Sequence, residues 1–101
     1  MQLYKVVVDM VVPEDTEIWS WVHPQMHETL DAILAPKVVN VTTEPLSNNA
    51  YRITTWFNDE PSYVDFQLFK ESNAIHRDRT TYEVANGISR IIISQEYVDV
   101  E

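Results

Sequence analysis

Apolar positions recur along this chain in blocks whose period switches between two and about three and a half. From Leu3 to Val12 nearly every position is apolar, with Tyr4, Val6, Val8 and Met10 on one face of a strand and Leu3, Val7 and Val11 on the other. Apolarity on both faces predicts cover on both. Pro13 ends the strand, and Glu14, Asp15 and Glu17 gather where a helix macrodipole favours negative charge, so a helix is expected to begin near Asp15 or Thr16. Ile18, Trp19, Val22, Met26, Leu30, Ile33 and Leu34 form one stripe at helical spacing, running to about Ala35 and stopped by Pro36. Pro24 inside that stripe removes a backbone donor and predicts a kink or break near His23. A continuous helix would leave Trp21 on its polar side.

Strand periodicity returns over Val38 to Glu44 and Tyr51 to Asn58, joined by Pro45-Leu46-Ser47-Asn48-Asn49, whose paired asparagines tolerate the positive φ of a hairpin turn. Asp59-Glu60-Pro61 reads as a helix start. Tyr63 to Phe69 is apolar all round, which predicts a segment wedged between surfaces. Ser72 or Asn73 can cap a second helical piece ending near Asn86, and Gly87 stands where a left-handed cap belongs. The last strand is Arg90 to Val100. The order is βαββαβ, the split βαβ, ferredoxin-like arrangement: an α+β fold with a four-stranded antiparallel sheet and two helices on one face, filling residues 1–101 as a single domain.

With the first and third strands central, the sheet's faces can be compared. Tyr4, Val6, Val8, Val39, Val41, Ile53, Phe57, Ile91 and Ile93 are assigned to the helix side. Leu3, Val7, Val11, Val38, Trp56 and Ile92 share the outer side with Lys5, Asp9, Asn40, Arg52, Thr54 and Glu96. A monomer would leave that mixed face in water, a larger apolar patch than monomers usually expose. A twofold partner would cover Val7, Val11, Trp56 and Ile92 and set Lys5 and Arg52 against Asp9 and Glu96. A homodimer through this face is therefore expected; a solvated face with scattered apolar residues is the alternative.

Composition narrows the chemistry. Sixteen acids against seven Lys and Arg give a formal net charge of -9, so phosphate backbones and anionic membranes would be repelled and nucleic-acid binding is not expected. With no cysteine, disulfides, thiolate metal sites and thiol nucleophiles are excluded. The start of the chain lacks the pattern of a secretory signal, no apolar run approaches a membrane span, and a cytoplasmic location is expected. Asn40-Val41-Thr42 matches the glycosylation sequon by chance on that reading.

Candidate sites are few. His23 and His27 are four apart, with His76 as a third imidazole, but Pro24 disturbs the turn between the first two and no glutamate stands in a zincin position, so no metal site is assigned. Asp78 falls within the apolar arc drawn by Ala74, Ile75, Tyr82 and Ala85; such a carboxylate must be paired, with Arg77, Arg79 or Lys5 as partners, or have a displaced pKa. Trp19, Tyr63, Phe66, Phe69 and Tyr82 either fill the core or line a cavity for an apolar molecule. The pocket candidates are His23, Tyr63, Asp78 and Tyr82. One glycine cannot build a phosphate-cradling loop, no nucleophile elbow or triad spacing is present, and no cofactor is called for.

The length, the element order and the amphipathic second sheet face resemble the dimeric α+β barrel proteins, including the antibiotic-biosynthesis-monooxygenase-like and stress-responsive barrel families. Locally, Ser72-Asn73-Ala74-Ile75-His76 resembles a stretch near which many members carry a histidine. The resemblance implies a dimer and a cavity between helices and sheet. Function is expected to be the binding of a small apolar molecule there. The alternatives are a dimerisation or assembly module without ligand, and a cofactor-free monooxygenase- or isomerase-like enzyme using His23 or Asp78 for proton transfer and Tyr82 or Tyr63 to orient substrate.

Overall fold

A computed structural model describes residues 1–100. The strands are β1 (Gln2–Val11), β2 (Asn40–Ser47), β3 (Ala50–Phe57) and β4 (Ser89–Asp99), in the antiparallel order β2-β3-β1-β4. The helices are α1 (Trp19–Val22), α2 (Pro24–Leu34), α3 (Glu60–Ser72) and α4 (Ala74–Ala85), with a 3-10 turn at Ala35–Lys37 after α2. This is the ferredoxin-like arrangement expected from the pattern, with each helical block divided in two.

Both divisions have local causes. Pro24 occupies the first turn of α2, and His23 before it adopts φ -127° and ψ 63°, outside the helical region that a residue preceding proline avoids. Between α3 and α4, Asn73 leaves the helix with φ -85° and ψ 123°, and its side chain accepts from the His76 N–H at 2.9 Å. Asp59 caps α3 in the same way, accepting from the Ser62 N–H at 2.9 Å. At the other end of α4, Gly87 has φ 72°, with the Gly87 N–H on the Val84 carbonyl and the Ile88 N–H on the Glu83 carbonyl. That is the paired bonding of a Schellman cap, for which glycine bears no side-chain penalty.

Three expectations need correction. The first helix does not begin at Asp15: that residue turns with φ 60°, and helix starts only at Trp19, so Glu14 and Asp15 lie in a turn instead of a first helical turn. The second strand runs through Pro45 to Ser47, leaving Asn48 and Asn49 as the hairpin turn, with Asn49 at φ 65°. Pro45 is tolerated because β2 lies at the sheet edge and its register shifts between Pro45 and Ser47. The third correction concerns β4. Val7 pairs with Ser94 but Val8 pairs with Ile92, so Ile93 is an extra, bulged residue. Alternation changes phase there. Ile92 and Arg90, opposite Val8 and Met10, therefore face the helices, and Ile91, opposite Asp9, faces outward.

Packing concentrates at the two ends of β1. Tyr4, Val6 and Phe57 form one buried cluster, with Tyr63, Phe66 and Val38 against it; Val38 thus lies on the helix side, not the outer one. Met10, Val12 and Ile88 form the other, with Ile18, Tyr51, Ile53 and Tyr82. Between them sits Val8, only half-buried.

Candidate functional site

Beneath the helices, where the two clusters fail to meet, the structure leaves a cavity of about 660 Å³ that opens to solvent. Its floor is the helix-side face of β1 and β3, chiefly Val6, Val8, Ile53 and Phe57. Trp19, Leu34, Tyr63 and Phe66 come from the helices, and the exposed ring of Trp21 stands at the rim. The break at Pro24 places Trp21 here: the side chain that a continuous helix would send to solvent borders an opening. An adjoining cavity of about 390 Å³ shares Val8, Gln67, Lys70, Arg79, Glu83 and Arg90 with the first.

Those shared residues form a polar wall from three elements. Lys70 ends α3, Arg79 and Glu83 lie on α4, and Arg90 begins β4. Glu83 is only 7% exposed and accepts from Arg90 through both carboxylate oxygens, at 2.8 and 2.7 Å. Arg79 donates from Nη2 to His76 Nδ1 at 2.9 Å, and its buried Nε–H has no partner. Burial, reinforced by the charges of Arg79 and Arg90, pulls the Lys70 ammonium down to about 8; its Nζ lies 4.7 Å from the Phe66 ring centre. Burial and the nearby Arg90 lower Arg79 to about 10. His76 is held down to about 4 by burial and then by Arg79 and Lys70, so it is neutral near pH 7 and its Nδ1 is free to accept. Three cations thus face one buried carboxylate, Glu83, and one exposed carboxylate of the lining, Asp31 on α2.

The structure disperses the residues singled out from sequence. Of the four pocket candidates His23, Tyr63, Asp78 and Tyr82, Tyr63 borders the large cavity, its hydroxyl accepting from Gln67 at 2.8 Å, and the other three do not. Tyr82 donates to the Glu17 carbonyl at 2.6 Å and packs beside Met10, Val12 and Ile88. Asp78 is exposed, not buried on the sheet-facing side of α4, and pairs with none of Arg77, Arg79 or Lys5. Instead it accepts from the indole N–H of the wholly buried Trp19 at 3.1 Å. His23 stacks near the same indole, 5.4 Å between ring centres. His27 pairs with Asp31 at 3.1 Å. Among the described residues no cluster of three His, Asp or Glu side chains is arranged to hold a metal.

On the outer face, Val7 and Leu3 are already buried within one chain, at 7% and 6% exposure, beneath longer neighbours. Asp9 and Arg52, opposite each other on β1 and β3, close a two-pronged ion pair at 2.9 and 3.1 Å inside the chain, so that pair is not left for a partner. The Arg52 hydrogen bonds hold Asp9 below the usual carboxylate range. Lys5 and Glu96 stand opposite each other on β1 and β4, Trp56 is half-buried, and Val11 is 45% exposed. Ile92 has moved to the helix side with the bulge, where it borders the smaller cavity.

No protein-family model matches the chain, and no curated protein matches it. Solved structures do resemble it. A structural-genomics protein, YJCS, superposes with a TM-score of 0.58 at 8% identity, covering 98% of this chain and 99% of that one. A dimeric ferredoxin-like protein of unknown function from Jannaschia sp. CCS1 gives 0.53 at 16% identity, covering 93% and 99%. At such identities the likeness establishes the ferredoxin-like α+β fold. No helix among the described residues is long and apolar enough to cross a membrane.

Proposed function

We propose that the protein binds a small, largely apolar molecule in the cavity between its helices and sheet. The cavity itself carries this reading: about 660 Å³ lies within the range of small-molecule sites, and its lining is largely aliphatic and aromatic, with the cationic groups gathered on one wall and Ser20, His27, Asp31, Thr43 and Thr55 as further polar positions. Tyr63 supplies a hydroxyl on the apolar side. Asp78 and Tyr82 act as supports for Trp19 and the segment before α1, where their polar atoms are engaged, and the His23 ring lies against the same indole. The test is a titration with 1-octanol followed through backbone amide resonances. Shifts are expected at Val6, Ile53 and Phe57; no shifts, or shifts confined to the outer sheet face, would overturn the reading.

A second reading concerns assembly. We infer a homodimer through the outer face, supported by the exposure of Val11 at 45% and Ile91 at 57% at one end of that face and by the partly covered Trp56 at the other. The dimeric state of the Jannaschia protein of like fold agrees with it. Lys5, Val7, Asp9, Arg52 and Glu96 would then form the floor of the contact, with Asp9 and Arg52 already paired and Ile92 outside it. Light scattering at micromolar concentration decides: a mass near 11.8 kDa, one chain, refutes the dimer. Trp56→Glu should give that mass if the parent is twice as heavy.

A further inference from the structure

We propose that the molecule bound in the helix–sheet cavity is an amphipathic carboxylate, its apolar body over Val6, Ile53 and Phe57 and its anionic head on Lys70, Arg79 and Arg90. The inference rests on the cavity reading above and adds the headgroup. Its first support is the placement of charge. The chain has only seven Lys and Arg against sixteen acids, yet three of the seven converge on one wall of the cavity. Glu83 is bonded to Arg90 and Asp31 of α2 also lines the cavity, so Lys70, Arg79 and Arg90 face two carboxylates and the lining keeps an excess of about one positive charge above its apolar floor. Like charges brought together away from water repel, and a fold retains them at a cost unless an anion completes the set.

The second support is geometric. The buried Nε–H of Arg79 lacks any acceptor, although unpaired buried donors are uncommon and costly. The adjacent His76 offers no negative charge, and both Glu83 oxygens are directed to Arg90 and make no bond to Arg79. Arg79 also borders both cavities, so an acceptor entering either one reaches its side chain. A carboxylate suits this wall better than a phosphate. One planar monoanion matches a guanidinium edge with Lys70 beside it and the excess of about one positive charge, whereas a dianion would lose far more hydration above an apolar floor and would meet Asp31 across the cavity.

The test compares three probes of one chain length, octanoate, 1-octanol and octylammonium, by calorimetry at pH 7. Octanoate should bind the parent at least about tenfold more tightly than 1-octanol, and octylammonium more weakly than either, as expected for charge-assisted hydrogen bonds to a buried head. Lys70→Met and Arg79→Met, each checked for folding by circular dichroism, should abolish the preference, bringing octanoate to within about twofold of 1-octanol measured on the same variant. Binding of 1-octanol as tight as octanoate would overturn the headgroup assignment and leave the cavity reading standing. Binding of neither would overturn both. An octanoate preference that survives in the variants would remove the role given to this wall. Should Arg79→Met fail to fold, Lys70→Met and the three-probe comparison on the parent still decide.

Discussion

β1 separates two groups of charge that obey different rules. On its outer face Asp9 and Arg52 meet one to one, two-pronged, with side chains 20% and 37% exposed. On the helix side Lys70, Arg79 and Arg90 meet the single buried carboxylate of Glu83. The outer pair needs nothing further, and each partner moves the other toward its charged form: Asp9 is lowered and Arg52 raised, chiefly by their mutual hydrogen bonds. The inner group shifts the opposite way, burial driving Lys70 and Arg79 toward neutrality. A balanced pair supports the fold, whereas an unbalanced buried group weakens it and is more readily understood as a site.

Glu83→Gln should break the contrast most severely. It removes the one buried inner carboxylate and leaves three cations facing only the exposed Asp31, at an expected cost of about 2 to 4 kcal/mol in urea denaturation. A loss below that of Asp9→Asn would mean the inner cations are better solvated than their burial indicates. Lys70→Met should act in the reverse sense, stabilising the protein at pH 7 by about 1 to 2 kcal/mol, because it deletes a desolvated charge and keeps the apolar stem against Phe66. The pH dependence gives the same test. Since Lys70 titrates at about 8 when folded and at 10.5 when free, the parent should gain stability as pH rises between those values, and the variant should lack that gain.

His76 sharpens the contrast on the acid side. Its pKa falls from 6.5 to about 4 on folding, so its contribution is complete above pH 6.5 and is lost as pH drops toward 4. After allowance for its partial exposure that loss is on the order of 1 kcal/mol, and His76→Gln should flatten the thermal stability profile across this window. The smallest effect is expected outside. Asp9→Asn should change stability by less than either inner substitution, and less still in 1 M salt, and a double-mutant cycle with Arg52→Gln measures the coupling.

Much of the fold was legible because its punctuation is chemical. Asn73, Pro24, the Asn48-Asn49 turn and Gly87 act through bonds or torsions that their own residue types impose. The phase of β4 was not legible: Ile91, Ile92 and Ile93 are alike, so nothing in the letters marks which one bulges. The polar wall was hidden for a different reason. The apolar residues of α4 mark an arc of Ala74, Ile75, Tyr82 and Ala85 with Asp78 inside it. Ile75 and Tyr82 are half-buried, but the helix turns Arg79 and Glu83 inward and leaves Ala74, Asp78 and Ala85 exposed. Lys70, Arg79 and Arg90 come from three elements, and only the folded topology brings them together. The available signal was their scarcity: in a chain this acidic, the position of each cation carries information.

The edge strand β2 has a further consequence. All eight of its residues are exposed, which would ordinarily invite a foreign strand to extend the sheet into a fibril. Pro45 offers no N–H there, and the shifted register beside it bends the ladder away from straight pairing. Polymerisation by strand addition is thereby frustrated at its first step, and the concentration at which this acidic chain stays dispersed is set in part by a single imino acid.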